Sequence, residues 1–273
     1  MPADRAATTT ARRGRFVPAG PTRGRGALGA IWLIGTRLGA LVLLLQAYTA
    51  FRKRYFLQPA TEAFDHALDL MALQATLRID IELGMQRWAL AHPWTIDIAN
   101  AYYRALKPTL YASAVLALLL APVAARRIGT AVLLATLIAW PWYALYPLAP
   151  PRFMGEFGFP FVDTLAATAA TAATAVPPGA GANPYAAMPS MHIAWTALAA
   201  LWLAAALPWR RIGAVLGALH LGMMSLAVLV TGNHYLLDIV AGLGVAAAGL
   251  VLARLRSAFP LWRRQPQHGR GPA

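Results

Sequence analysis

Three short stretches of this chain carry side chains suited to acid–base or anion chemistry. The sharpest is Gly232-Asn233-His234-Tyr235-Leu236-Leu237-Asp238. His234 and Asp238 are four residues apart, so on a helix they share one face. A carboxylate beside an imidazole fixes its tautomer and stabilises the cationic form. An ionisable pair in an apolar helix is costly unless it is used. The plainer alternative is a buried polar pair that locks helix packing. The second stretch is Ala187-Met188-Pro189-Ser190-Met191-His192, at the start of another apolar run. Ser190 is a good N-cap, and His192 falls in the first helical turn. The free amides and positive dipole end of a helix N-terminus suit a phosphate. Here the alternative is a simple cap beside an interfacial histidine. The third stretch is Tyr146-Pro147-Leu148-Ala149-Pro150-Pro151-Arg152-Phe153, and Arg152 is the only basic residue in 147–189. A guanidinium fork grips phosphate oxygens in pairs. Taken alone, Arg152 reads more readily as a surface arginine after a proline-stiffened turn.

These residues sit at the ends of long apolar runs. Of the 273 residues 59% are hydrophobic and only 12% are charged, against about 25% charged in soluble domains. The runs at 27–50, 101–122, 128–146, 190–208, 211–231 and 235–253 read as six membrane-spanning helices. Pro141 is expected to kink the third. The first run is too long for the apolar region of a signal peptide and is expected to be retained. Between the first two runs, Phe64, Leu68, Met71, Ala75 and Ile79 share a helical face opposite Glu62, Asp65, Asp69 and Asp80, while Glu82 breaks the pattern. Such a segment suits the membrane interface, or a half-buried helix packed on the spans. Residues 147–189 form a long proline-rich connection, with a short helix expected in its Ala/Thr-rich part at 163–175. The expected fold is therefore an all-α membrane protein. It has six transmembrane helices, an extracytoplasmic amphipathic helical segment, and a long loop between spans three and four. Residues 27–256 form the membrane domain, 1–26 a disordered basic tail and 257–273 a second basic tail.

The net charge of +14 would suggest nucleic acid in a soluble protein. Its placement argues against that partner. Arginines cluster in the N-terminal tail, at Arg126-Arg127, at Arg210-Arg211, and at Arg254, Arg256, Arg263 and Arg264. With both termini cytoplasmic, these clusters all fall inside, as the positive-inside rule asks. Arg52-Lys53-Arg54 is the exception. The three polar stretches then all fall on the extracytoplasmic face, although they come from different spans. That is the pattern of one shared site. The chain has no cysteine, which excludes disulfides and thiolate chemistry. No His-x-x-x-His spacing suggests zinc. His220 reads as a packed or hydrogen-bonded core residue, and His66 and His92 as interfacial.

The three stretches resemble the signature motifs of the type 2 phosphatidic acid phosphatase superfamily. Tyr-Pro-Leu-Ala-Pro-Pro-Arg, Ala-Met-Pro-Ser-Met-His and Gly-Asn-His-Tyr are most similar to its inositolphosphotransferase-like branch, which includes inositol phosphorylceramide synthases. The likeness covers about residues 75–250. It implies cofactor-free, metal-independent phosphoryl transfer on a lipid phosphate or phospholipid head group. In that reading His234 attacks phosphorus and becomes a phosphohistidine, and Asp238 orients it. His192 protonates the leaving oxygen. Arg152 holds the phosphate, with Ser190, Asn233 and Lys107 as further phosphate contacts. The ordinary phosphatases of the superfamily carry a Ser-Arg pair where this chain has Ala227 and Val228. That departure favours transfer to a hydroxyl over hydrolysis. Lipid phosphate hydrolysis is the alternative, and a transporter or scaffold is the third reading. A transporter needs polar groups at mid-membrane, and the polar residues here gather at one face.

Overall fold

A computed structural model describes residues 27–55, 60–171 and 184–258. The tail at 1–26, the residues after 258 and the end of the expected Ala/Thr helix at 172–175 lie outside the described residues. The described chain is helical throughout. Its elements are α1 (Ala27–Tyr55), α2 (Ala60–Leu77), α3 (Glu82–Leu90), α4 (Pro93–Arg104), α5 (Leu106–Leu120) and α6 (Pro122–Leu145). A 3-10 turn (Pro151–Phe157) follows, then α7 (Thr164–Thr171), α8 (Met191–Ala206), α9 (Arg210–Val230) and α10 (Leu236–Ala258). Among the described residues there is no β-strand, only a single parallel bridge between Leu148 and Ala186.

Prolines place several of the breaks. Pro93 and Pro122 each occupy a first helical position, where the missing N–H costs nothing. Pro122 also pushes Ala121 out of the helical region, to φ −142 and ψ 60. Pro108 cannot donate to the carbonyl one turn back, and the chain divides at Ala105. The run expected as one span at 101–122 is therefore two helices. Of these, α5 has 15 residues, about 22 Å of helix at 1.5 Å per residue. Pro141 is accommodated inside α6, which continues to Leu145.

Three helices are long and apolar enough to cross a bilayer: α6, α9 and α10. Three shorter apolar stretches accompany them: Ile34–Ala50 within α1, α5 and α8. Helix α8 lies at the centre, packed against α5, α6, α9 and α10. Small residues line the helix contacts: Gly213 and Gly217 of α9 lie against Ala204 and Ala200 of α8, and Gly249 of α10 lies against Ala131 and Ala135 of α6. Small side chains let helix backbones approach, which is how helices pack where lipid removes the usual hydrophobic drive. The outward faces carry exposed Val215, Leu219 and Leu226 on α9, and Val240 and Val251 on α10. A surface this apolar fits lipid rather than water.

A second, smaller core sits at one end of the bundle. There Ala63, Ala67 and Leu70 of α2 pack with Leu148, Ala149, Met154, Phe161 and Tyr235. The face of α2 that is fully buried is thus Ala63, Ala67, Leu70 and Gln74, not the stripe expected from the sequence. Phe64, Leu68 and Met71 are half-buried beside it, and Ala75 is exposed. The helix covers the connection that follows α6, so its small residues decide which face packs.

Candidate active site

The His234–Asp238 pair is built where α9 turns into α10. Gly232 makes that turn at φ +66, a conformation other residues rarely adopt. A Cβ there would lie 2.9 Å from Gln86 Nε2 and 3.3 Å from Arg152 Cβ. Asp238 stands in the first turn of α10 with no exposure. Its Oδ2 accepts from His234 Nδ1 at 3.2 Å and from the Tyr235 N–H at 2.9 Å. The next two amides of α10 are capped by side chains from far away in sequence. Leu236 N–H donates to Glu82 Oε1 at 2.6 Å, and Leu237 N–H donates to Gln74 Oε1 at 3.1 Å. Gln74 Nε2 also donates to Glu82 Oε1 at 2.7 Å. Orphan amides of a helix start are thereby satisfied in a buried place, and the turn carrying His234 is held by α2 and α3.

Helix α8 brings the second histidine. Ser190 is its N-cap and accepts from Ile193 N–H at 3.4 Å. The Ser190 N–H donates to the Asp238 carbonyl at 3.1 Å, and Tyr143 Oη donates to the Pro189 carbonyl at 2.7 Å. The first bond ties the starts of α8 and α10 together, and the second ties the end of α6 to the start of α8. Gly242 permits the approach: a Cβ there would meet Ser190 O at 2.5 Å. The His192 ring lies 5.6 Å from the His234 ring, tilted by 59°. Its other side stacks on Tyr103, 4.1 Å away and 20° from parallel. Two imidazoles thus lie close together, one bonded to a carboxylate and one stacked on an aromatic ring.

Arg152 enters from the connection after α6. Its N–H donates to the Gly232 carbonyl at 2.9 Å, so the backbone of the first stretch is pinned to the turn of the third. The guanidinium donates through Nη1 to Asn233 Oδ1 and pairs through Nε with Asp163 at 3.2 Å. It lies 4.6 Å over the Phe153 ring. Asn233 Nδ2 donates to Thr231 Oγ1 at 2.7 Å. Both ends of the Asn233 amide are therefore engaged, one of them on Arg152. A guanidinium has five N–H donors, so these two partners leave donors for an anion.

Of the residues singled out in the sequence, His192, His234, Asp238, Arg152, Ser190 and Asn233 are brought together by these bonds and ring contacts. Lys107 is exposed and has no hydrogen-bond or ion-pair partner among the described residues; it follows Tyr103 by one helical turn. His220 receives the Tyr102 hydroxyl at its Nδ1, and His66 bonds the Pro147 carbonyl at 2.8 Å while stacking on Tyr146. Among the described residues no three His, Asp or Glu side chains gather as a metal-ligand set.

Several positioning residues escaped the sequence reading. Gln86, fully buried, donates to the Val162 and Val230 carbonyls at 3.0 and 3.1 Å and accepts from the Val162 N–H at 2.9 Å. Asn100 and Thr164 bond each other, holding the start of α7. Gln74 sits at 63-67-70-74 spacing on the buried side of α2. A polar residue on an apolar face was the available signal.

The structure thus gathers a carboxylate-bound histidine, a second histidine and an arginine at one end of a helical bundle with apolar outward faces. The chain belongs to the PAP2 superfamily, whose family model matches residues 68–252, more than half of its length. That match contains all the stretches above, and membership implies a phosphatase-type enzyme acting on lipid phosphates. No curated protein and no solved structure shows a significant match to the chain.

Proposed function

We propose that this protein is a six-span membrane phosphotransferase that moves a phosphoryl or phosphorylated head group between lipid substrates through a phosphohistidine. The observation that carries the reading is the convergence of His234–Asp238, His192 and Arg152 from three separate segments. Asp238 on Nδ1 favours the tautomer with its lone pair on Nε2, the atom for attack. As the His234 Nε2–P bond forms, the bond from phosphorus to the leaving oxygen breaks, and His192 gives that oxygen its proton. In the second step an acceptor hydroxyl passes its proton back to His192 while its oxygen takes the phosphoryl group from His234. Arg152 steadies the equatorial oxygens, and Asn233 aims Arg152. Amides near Ser190, at the start of α8, and Lys107 complete the phosphate cradle. No metal or cofactor enters these steps.

One observation favours transfer, as in an inositolphosphotransferase-like branch. Ala227 and Val228, which replace a Ser-Arg pair, are buried and apolar, so no second guanidinium joins from α9. An apolar cavity of about 470 Å³, lined by Trp88, Trp94, Met223, Ala227 and Val230, also adjoins the catalytic turn. It suits the tail of a lipid donor or acceptor. Hydrolysis shares the first half-reaction, and superfamily membership supports it as the second reading. We place the enzyme in the cell membrane with both termini cytoplasmic and the site extracytoplasmic, following the arginine clusters.

The test is incubation of purified protein with phosphorus-labelled lipid phosphates and phospholipids plus candidate hydroxyl acceptors. Label appearing on a second lipid supports transfer, and label appearing as inorganic phosphate supports hydrolysis. Unchanged turnover in His234→Ala would sink both readings.

A further inference from the structure

At the end of the bundle opposite the catalytic residues, three helix ends frame an open groove of about 750 Å³. The placement follows from helix direction: α6 and α9 start there, and α10 ends there, whereas α9 ends and α10 starts at the catalytic turn. Arg127 of α6, Arg210 of α9 and Arg254 of α10 line the groove. Among the described residues no Asp or Glu lines the groove, and none of the three guanidiniums has a hydrogen-bond or ion-pair partner. The floor is apolar, with Ile128, Leu201, Ala204 and Leu250. The first turns of α6 and α9 also have no side-chain cap at Ala121 or Trp209. Their free amides and positive dipole ends add to the attraction for an anion.

We infer that this groove binds an anionic phospholipid from the surrounding leaflet. Its head-group phosphate lies among Arg127, Arg210 and Arg254, and an acyl chain lies on Leu201 and Leu250. Charge complementarity selects the head group, and the apolar floor selects a lipid over a free anion. Basic pockets between membrane helices take anionic head groups for the same reason. The inference needs only the membrane setting of the bundle, so it stands or falls apart from the proposed chemistry.

The experiment is native mass spectrometry of the full chain in detergent, titrated with phosphatidylglycerol or phosphatidylcholine. The wild-type protein is expected to retain phosphatidylglycerol preferentially. The triple variant R127Q/R210Q/R254Q should lose that preference by on the order of a hundredfold, roughly fivefold per arginine. The matching triple lysine variant should keep most of it. If the triple glutamine variant does not elute as folded protein, the three single variants should each show the fivefold loss. Arg87→Gln, an exposed arginine on α3, removes one charge away from the groove and should leave the preference intact. The proposal is overturned if the glutamine variants bind phosphatidylglycerol like the wild type, or if Arg87→Gln lowers binding as much as a groove variant. It is also overturned if millimolar glycerol phosphate displaces the lipid completely, because the groove would then be a soluble-anion site.

Discussion

The two ends of the bundle handle polar groups in opposite ways. At the catalytic end, Gln74, Glu82, Gln86, Asn233 and Asp238 are buried, and each is bonded to other side chains or to backbone. At the other end, Arg127, Arg210 and Arg254 are exposed around a groove that no carboxylate lines. A buried polar group must find its partner inside the protein or lose its hydration uncompensated. A long cation near a membrane surface can leave that partner to a lipid head group. The difference teaches that rigidity is concentrated where geometry matters: the catalytic end is fixed before substrate arrives, and the other end is completed from outside.

The comparison breaks first at His234. His234→Gln removes the proposed nucleophile and should lower turnover of a lipid phosphate by about ten-thousandfold to a millionfold. Arg254→Gln, measured in detergent free of anionic lipid, should leave turnover unchanged. Equal losses in the two variants would erase the distinction between the ends. Asp238→Asn comes next. It keeps the shape but can turn an N–H towards His234 Nδ1, favouring the wrong tautomer, and should cost about a hundredfold to ten-thousandfold in kcat. Arg152→Lys keeps the charge but loses the fork that reaches Asn233 and Asp163 together. A loss of about tenfold to a hundredfold in kcat/KM is expected, and steady-state kinetics with a soluble short-chain lipid phosphate would measure both variants.

These three residues were legible in the sequence because each interrupts an apolar pattern at the edge of a run. The class of fold was legible for the same reason, in the length and composition of the runs. Less visible were the division at Ala105, where Pro108 outweighs the continuous apolar stretch, and the true packing face of α2. Alanines at 63 and 67 score as weakly apolar, yet they allow the closest contact with the loop after α6, where Ala149 N–H donates to the Ala63 carbonyl at 2.9 Å. Gln74, Gln86 and Asn100 carry no motif in the sequence, and Glu82 stands out only as a break in the amphipathic pattern. Their partners lie 64 to 163 positions away for the bonds that reach across the fold, and no local pattern encodes those pairings. The resemblance makes Asn233 a phosphate contact. Its observed bonds give it a positioning task behind Arg152.

The smallest expected effect tests whether the long-range caps of α10 confer that rigidity. Glu82 Oε1 accepts from both the Leu236 N–H and Gln74 Nε2. Glu82→Ala therefore strands a buried backbone donor and a buried side-chain donor. The expected cost is about 1–3 kcal/mol of stability for a stranded buried donor, read as a lowered midpoint of thermal unfolding in detergent. Gln74→Ala removes one of those donors but strands the Leu237 N–H. Because the two side chains share a bond, their losses should not add: the double variant should be less damaging than the sum by about 0.5–3 kcal/mol. Activity at a temperature where every variant is folded should fall only modestly, since Asp238 still holds His234. Additive losses would mean that the two caps act separately, and that the turn bearing His234 owes its position to the α8–α10 contact at Gly242 instead.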